Sequence, residues 1–485
     1  MLSIAEIKQL IDNDSASVKK QQARKGVQYY EGDHDIRNFR IFFVNGKGEP
    51  EEDKTKSNIK IAHPFFTENV DQTVQYLLSG DGYFFKSDDP NLQKDLNERF
   101  NENDAFISEL YELVTGSQVK GFEYMYAYKN AEGRSVFECA DGMGVVEVRA
   151  KESQDKCDHL IYWYVDRIGK DNKTIKRIEV WDAHQTYYYY QEDNGSIVFD
   201  DEAEHNPRPH TIYKKDKDEN TYFEDYGRIP FFRLDNGRKQ FSALKPIKHL
   251  IDDYDLMNCG LSNNIQDTNE ALYVVRGFEG NNLDELMQNI KAKKHIGLPE
   301  EGGVEIQTIS IPVEARKEKM EVDEQNIYRF GFALDTHGLK DTAATTNLAI
   351  ESAYSLLGMK ARKLIIRLKE FLRGPLGIVL DEINKEKGTD YQQKDVYFRF
   401  KPEVPTNALE NAQIALIDAQ KRQTEINTIL SLAGRVDDDT TLQLICEQLD
   451  IDFEEVKGKA PKEDDFSGIY PEEEIETLAG GGLIE

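Results

Sequence analysis

Two carboxylates flank an imidazole in "GDHDI", residues 32–36. Asp33, His34 and Asp35 are residue types from which a divalent-metal centre for phosphoester hydrolysis could be built. Neighbours in sequence point different ways in most backbone conformations, and no second His/Asp cluster at ligand spacing accompanies them, so a polar turn is the simpler account. The segment "HGLKDTAATT", residues 337–346, holds the Gly, Lys and Thr of a phosphate cradle without GxxxxGK[ST] spacing or a preceding strand. "VDDDT", residues 436–440, gathers three carboxylates, but ahead of an apolar run such a group caps a helix and meets its positive end. "TYYYYQ", residues 186–191, could stack bases, or line the half-buried face of a strand. Cys139, Cys157, Cys259 and Cys446 form no CxxC pair, which excludes a zinc knuckle and a CxxC redox site. GxSxG and HExxH are absent from the sequence. Nothing here points to catalysis, and neither a metal nor a cofactor is expected.

Charge narrows the partners. The 485 residues carry 61 Lys+Arg against 90 Asp+Glu, a formal charge of −29. Affinity for DNA through phosphate neutralisation needs basic surface, so tight non-specific wrapping is disfavoured. Passage of DNA beside a repelling wall is compatible with this balance. The first twenty residues alternate apolar and charged side chains without a signal-peptide core, and no run of about 18 apolar residues is present to span a membrane. The expectation is a soluble protein made in the cytoplasm.

The periodicities place these residues on elements. Ile4, Ile7, Leu10 and Ile11 have helical spacing, and "HPFFTENVDQTVQYLLSG" predicts a second helix. From about Val136 to Phe232, short alternating Tyr- and Trp-rich runs predict an antiparallel β region, so this part is α+β. Leu244, Ile247, Leu250, Ile251, Tyr254, Met257, Leu261 and Ile265 predict a helix over 243–268, with Asp252, Asp253, Asp255 and Asp267 opposite the apolar stripe. Residues 271–313 read as strand, turn, short helix and two short strands at the tip of a helical pair. A helix follows through Ile327 and Phe330, then a third from Asn347, which Gly374-Pro375 interrupts and kinks. "DVYFRFKPEVP" predicts a strand, two helices follow, and beyond Asp452 an acidic, aperiodic tail is expected to be mobile.

This order, with "YYEGDHDI" (29–36), "NVDQTVQYLLSGDGYFF" (69–85), "IPFFRLDNGRKQFSALKPIKHLIDDYDLMNCGLSNNIQD" (229–267) and "SAYSLLGMKARK" (352–363), resembles the SPP1-like portal proteins of tailed bacteriophages. Pro230 to Asp267 is the most specific stretch, and the likeness runs from about residue 20 to 452. It implies a ring-forming α+β portal fold: a wing over 1–240, a stem helix over 241–270, a small α/β clip over 271–315 and a second stem helix over 316–335. A tunnel loop over 336–346, a long kinked helix and wing strand over 347–407, a helical crown over 408–452 and an acidic tail over 453–485 complete it. Where related chains place a Ser-Gly pair before the long helix, this one has Thr345-Thr346-Asn347.

The resemblance further implies a dodecameric homo-oligomer at one capsid vertex, a conduit for double-stranded DNA in packaging and ejection. Its partners would be the terminase large subunit, a head-tail connector or adaptor protein, and the major capsid and scaffolding proteins. Its place would be the virion, reached through the host cytoplasm, with no membrane. Thr336, His337, Gly338, Leu339, Lys340, Asp341, Thr342, Ala343, Ala344 and Thr345 would then face DNA, with Lys340 as the cation and Gly338, Ala343 and Ala344 as the flexible positions. Gly374 and Pro375 would form the helix kink. The alternatives are the metal-dependent nuclease or phosphohydrolase on Asp33, His34 and Asp35, and a minor capsid or adaptor protein without a channel.

Overall fold

Helix α1 (Ile4–Ser15) begins where the Ser3 hydroxyl and the Glu6 carboxylate cap each other's backbone, a capping box written in the sequence as S-x-x-E. Its buried Ile7 and Ile11 lie one turn apart. The computed structural model describes residues 2–54, 56–150, 157–167, 173–193, 195–203, 205–214, 220–267, 272–276, 303–307, 312–335, 347–404, 408–432, 435–449, 451 and 453–457. They divide into two compact units, one of residues 1–343 and 351–404, the other of 344–350 and 405–485.

In the first unit α1 is followed by α2 (Val18–Tyr30), a hairpin of β1 (Phe42–Val44) and β2 (Pro50–Glu52), and α3 (Phe65–Leu77). Then come β3 (Phe85–Lys86), α4 (Pro90–Leu96) and α5 (Asp104–Lys120). The β region opens with β4 (Phe122–Lys129), β5 (Ser135–Ala140), β6 (Val145–Arg149), β7 (Cys157–Arg167), β8 (Thr174–Trp181) and β9 (Gln185–Glu192). It closes with β10 (Ile197–Phe199), β11 (Arg208–Pro209), β12 (Thr211–Lys214), β13 (Thr221–Glu224) and β14 (Phe231–Asp235). Its main sheet runs β10-β9-β8-β7-β6 with β11 on β9, and a second runs β14-β4-β5, with every pair antiparallel. The mixture of helix and antiparallel sheet is α+β, as expected. The β region starts earlier than Val136, because "FEYMYAYK" at 122–129 alternates too weakly for period two to show: its first four residues are all buried. Tyr187–Tyr190 lie on β9, where Tyr189 is buried between β8 and β10. That is the sheet-face reading of the tyrosine run.

Helix α6 (Lys248–Asp267), β15 (Leu272–Arg276), β16 (Gly303–Gln307), α7 (Val313–Gly331), α8 (Asn347–Lys387) and β17 (Tyr397–Phe398) follow. The α6 helix starts later than 243. Pro246 has no amide to donate and biases the residue before it away from the helical region, so 243–247 form turns while Leu244 and Ile247 stay buried. β15 and β16 pair antiparallel over Leu272–Gln307 to Arg276–Gly303, and the helix and further strand expected between them lie outside the described residues. Gly374-Pro375 do not end the helix: α8 runs from Asn347 to Lys387 with Pro375 inside it. Phe371, Leu372, Leu376, Val379, Leu380 and Ile383 are buried on both sides of the proline, and that packing outweighs one missing hydrogen bond. Beyond it, Glu382 accepts from the Ser135 hydroxyl at 2.6 Å and faces Lys129 at 3.4 Å, which holds α8 against β4 and β5. The expected strand in "DVYFRFKPEVP" is only Tyr397–Phe398, paired with β3.

One apolar cluster runs through α2, α3, α5, α6, α7 and α8 and includes the stacked pair Phe85 and Phe100 (4.0 Å) and the α8 residues Leu368 to Ile383. In the second unit α9 (Ala408–Leu432), α10 (Asp438–Leu449) and the short α11 (Phe453–Lys457) are helical. The Asp437 carboxylate accepts from the Thr440 amide at 3.2 Å and hydroxyl at 2.9 Å, so "VDDDT" is a helix cap. No helix among the described residues is long and apolar enough to cross a membrane.

Candidate functional site: the supports of residues 336–346

Residues 336–346, and with them Thr336 through Thr345 of the expected DNA-facing loop, lie outside the described residues. Their supports are described. Helix α7 brings Tyr328 and Gly331 to one end, where Phe332 takes a left-handed conformation, φ 55°, and stops the helix. A bulky residue there costs about 1–2 kcal/mol. The Ala333 amide donates to the Tyr328 carbonyl at 3.0 Å, and Leu334 is then held on both sides by one side chain. Its amide donates to Gln72 Oε1 at 2.9 Å, and its carbonyl accepts from Gln72 Nε2 at 3.1 Å. Glu68, one turn earlier on α3, accepts from Gln72 Nε2 at 3.0 Å and from the Tyr328 hydroxyl at 2.8 Å. Burial and the Glu68 carboxylate push the Tyr328 phenol up, so it donates at every ordinary pH.

Gly331 is where α7 crosses α3. A Cβ there would lie 2.4 Å from Asn69 Oδ1, so only glycine lets the helices approach this closely. Lys360 of α8 donates to the Gly331 carbonyl at 3.2 Å, a cation at a helix C-terminus, and burial lowers its ammonium to about 8. The segment therefore leaves from a point fixed by α3, α7 and α8. Gln72→Ala should loosen that point by about 1–2 kcal/mol, from two lost backbone partners. Hydrogen exchange at the Leu334 amide checks this, and protection unchanged by the substitution would refute the clamp.

The same close packing holds farther along α8. A Cβ on Gly374 would stand 2.3 Å from the Phe232 ring, so Gly374 admits that ring against the helix one residue before Pro375.

The other candidate cluster resolves differently. His34 is fully buried and stacked on Tyr29 at 4.4 Å, whereas Asp33 and Asp35 face solvent, with Asp35 paired to Lys25 and Lys248 at 2.7 Å each. The three do not converge, and no group of three or more ligating side chains capable of holding a metal occurs among the described residues. His34 Nδ1 instead donates to Asp255 Oδ2 at 2.7 Å, and His63 Nδ1 lies 2.7 Å from the other oxygen.

Asp255 begins a ladder that the sequence reading missed. The amides of His63, Ile61, Ile59 and Ser57 donate to Asp255, Cys259, Asn263 and Asp267 at 3.0, 3.1, 2.7 and 3.1 Å. Two residues of extended chain advance about 6.6 Å and four of helix about 6 Å, so alternate amides meet every fourth side chain of α6. The aspartates opposite the apolar stripe therefore do not form one open acidic face: Asp255 is buried, Asp252 accepts from Tyr29 and Lys248, Asp253 pairs with Lys319 at 2.6 Å, and Asp267 accepts from Ser57. The sequence signal was the i, i+4 spacing D-x3-C-x3-N-x3-D.

Helices α6 and α7, of 20 and 19 residues, flank the β15–β16 strand pair and lead into the segment held at Leu334. A family profile described as phage portal protein, SPP1 Gp6-like, matches residues 8–455. The chain belongs to that portal family. Among its relatives, the portal protein of Bacillus phage SPP1 is 26% identical over 378 residues, 76% of this chain and 73% of that protein. The portal protein of Clostridium phage phiCD119 is 21% identical over 435 residues, 85% of this chain and 89% of that protein. A solved structure titled as the neck of a native GTA particle computed with C12 symmetry aligns at 11% identity and a TM-score of 0.37. It covers 79% of this chain and 90% of that one. As a member of a portal family the chain is a structural phage protein.

Proposed function

We propose that the chain assembles into a dodecameric ring at one vertex of the capsid and conducts double-stranded DNA during packaging and ejection. Residues 1–240 form the wing, 241–270 and 316–335 the stem, 271–315 the clip, 336–346 the tunnel loop, 347–407 the long helix and wing strand, 408–452 the crown and 453–485 an acidic tail. The ring docks the terminase large subunit, and later a head-tail connector protein, and it sits among major capsid and scaffolding proteins. The chemical work of translocation belongs to the motor partner. Portal-family membership over residues 8–455 is the observation that carries this reading.

Within it, Thr336 to Thr345 face the DNA. Lys340 is the cation of that segment, and a ring of such lysines hands phosphates from one subunit to the next while the acidic background prevents capture. Gly338, Ala343 and Ala344 let the segment move. Pro375 removes one amide donor from the middle of α8, and the bend of the long helix falls there with Gly374. Lys340→Ala should lower packaging and retention of DNA in vitro several-fold, with ring assembly unchanged in electron micrographs. Normal packaging by assembled rings would overturn the role of Lys340, and particles without a central hole would overturn the conduit.

A further inference from the structure

Among the described residues, the hairpin of β1 and β2 has no cover. All six strand residues are exposed, including Phe42 at 61%, Phe43 at 45% and Val44 at 71%. The ribbon is nonetheless well made. Phe42, Phe43 and Val44 pair with Glu52, Glu51 and Pro50, and Asn45 Oδ1 accepts from the Lys47 and Glu49 amides at 2.9 and 3.0 Å. Gly48 takes φ 81° in the turn, and at the base the Asp53 amide donates to the Ile41 carbonyl at 2.8 Å. Phe42 and Val44 share one face and Phe43 the other, so apolar surface is presented on both. A two-stranded ribbon is marginal in water on its own, and this one presents exposed phenylalanines on both faces, the kind of surface that marks an interaction site.

Its charge selects the surface that it fits. Residues 42–53 carry four carboxylates, Glu49, Glu51, Glu52 and Asp53, against one lysine, Lys47, and Arg40 at the base pairs with Glu52 at 3.4 Å, which leaves the turn end of the ribbon with Glu49 and Glu51 as its outward acids. A chain at −29 offers an acidic surface on average, yet one cleft has the opposite character. It has a volume of about 710 Å³, between the turn at 236–246, the end of α7 and the middle of α8. Arg238, Lys239, Lys245, Lys360 and Lys363 line it, with Lys360 held on the Gly331 carbonyl. Lys245 lies over the Phe241 ring at 3.2 Å. Phe330 and Phe332 also line it, 46% and 42% exposed. Aromatic and cationic side chains around an open cleft match an acidic ribbon with aromatic side chains.

In one copy both surfaces are exposed, so the ribbon does not fill its own cleft. We propose that the β1–β2 ribbon of one copy docks in the basic, aromatic cleft of the next. Two different patches meeting head to tail make a heterologous contact, the kind that closes into a ring, so this inference rests on the ring reading above and assigns it a contact.

A paired-cysteine variant tests it: Val44→Cys with Lys239→Cys in a Cys157→Ser background, assembled, oxidised and run on a denaturing gel, with each single cysteine as control. A ladder of covalent multimers is expected from the pair alone. Rings in the microscope without a ladder would overturn the docked ribbon and leave the ring standing, and monomers alone would overturn both. A second arm uses charge, since the altered residues lie at the surface and the thermal midpoint should not move. Lys239→Glu with Lys245→Glu should weaken assembly, and Glu49→Lys with Glu51→Lys in the same chain should restore it. Assembly untouched by the cleft substitutions, together with weaker binding of the protein to a short DNA duplex, would reassign the cleft to phosphate and end the proposal.

Discussion

Asp255→Ala is expected to cost the first unit about 3–5 kcal/mol, because it strands the buried donors that the carboxylate satisfies, at about 1–3 kcal/mol each. Both carboxylate oxygens are engaged, one by His34 and the other by the His63 ring and amide, and the residue is fully buried. Truncation leaves His34 Nδ1 without its acceptor in a dry site and removes the first rung of the ladder along α6. Asp255→Asn keeps an oxygen for the His63 amide and should cost less. Thermal unfolding of the two variants beside the parent chain measures the order, and limited proteolysis at 57–63 shows whether the segment lifts. A midpoint for Asp255→Ala within a degree of the parent would refute the role.

The same residue sets an acid-side signature. Burial alone would raise the Asp255 carboxyl, but hydrogen bonds from His34 and His63 outweigh burial and hold it below its ordinary 3.8. A carboxyl depressed in the folded state contributes stability that is fully present above 3.8 and is lost as pH falls through the lower folded value. The midpoint of the parent should therefore fall more steeply below pH 3.8 than that of Asp255→Asn, and parallel curves would contradict it.

How much of this was legible follows from which forces leave local marks. The capping box of α1, the cap at Asp437, the order of α6, the strand pair and α7, and the antiparallel region are written in spacing and turn chemistry. The family resemblance was carried by 229–267 and is matched by the profile over 8–455. What escaped were contacts between residues far apart in the chain. Asp255 looked like part of an outer acidic face because its partners His34 and His63 lie 221 and 192 residues away. Gln72 had no sequence mark at all, since its partner is the backbone of Leu334. At Pro375 the local rule for ending a helix was outweighed by packing on both sides, and α8 continues through it.

Gly331→Ala is the second large expectation, and it reaches the 336–346 segment without altering it. A methyl there must share space with Asn69 Oδ1, 2.4 Å from the ideal position, in a crossing where Asn69 is 2% exposed. Overpacking of this kind costs about 1–3 kcal/mol. The usual gain of up to about 1 kcal/mol for alanine over glycine in a helix is reduced at the last helical residue. Asn69 Nδ2 donates to the Phe65 carbonyl at 3.1 Å, but Oδ1 has no partner among the described residues, so Asn69→Ala removes an oxygen that contributes little and opens the space that the methyl needs. The double variant should therefore recover most of the loss, with a coupling of about 1–2 kcal/mol between neighbours in contact. If the single variant also lowers DNA packaging and the double variant restores it, the position from which the segment leaves α7 matters as well as its own composition. Additive losses in the double variant would mean that the two helices do not cross through this pair.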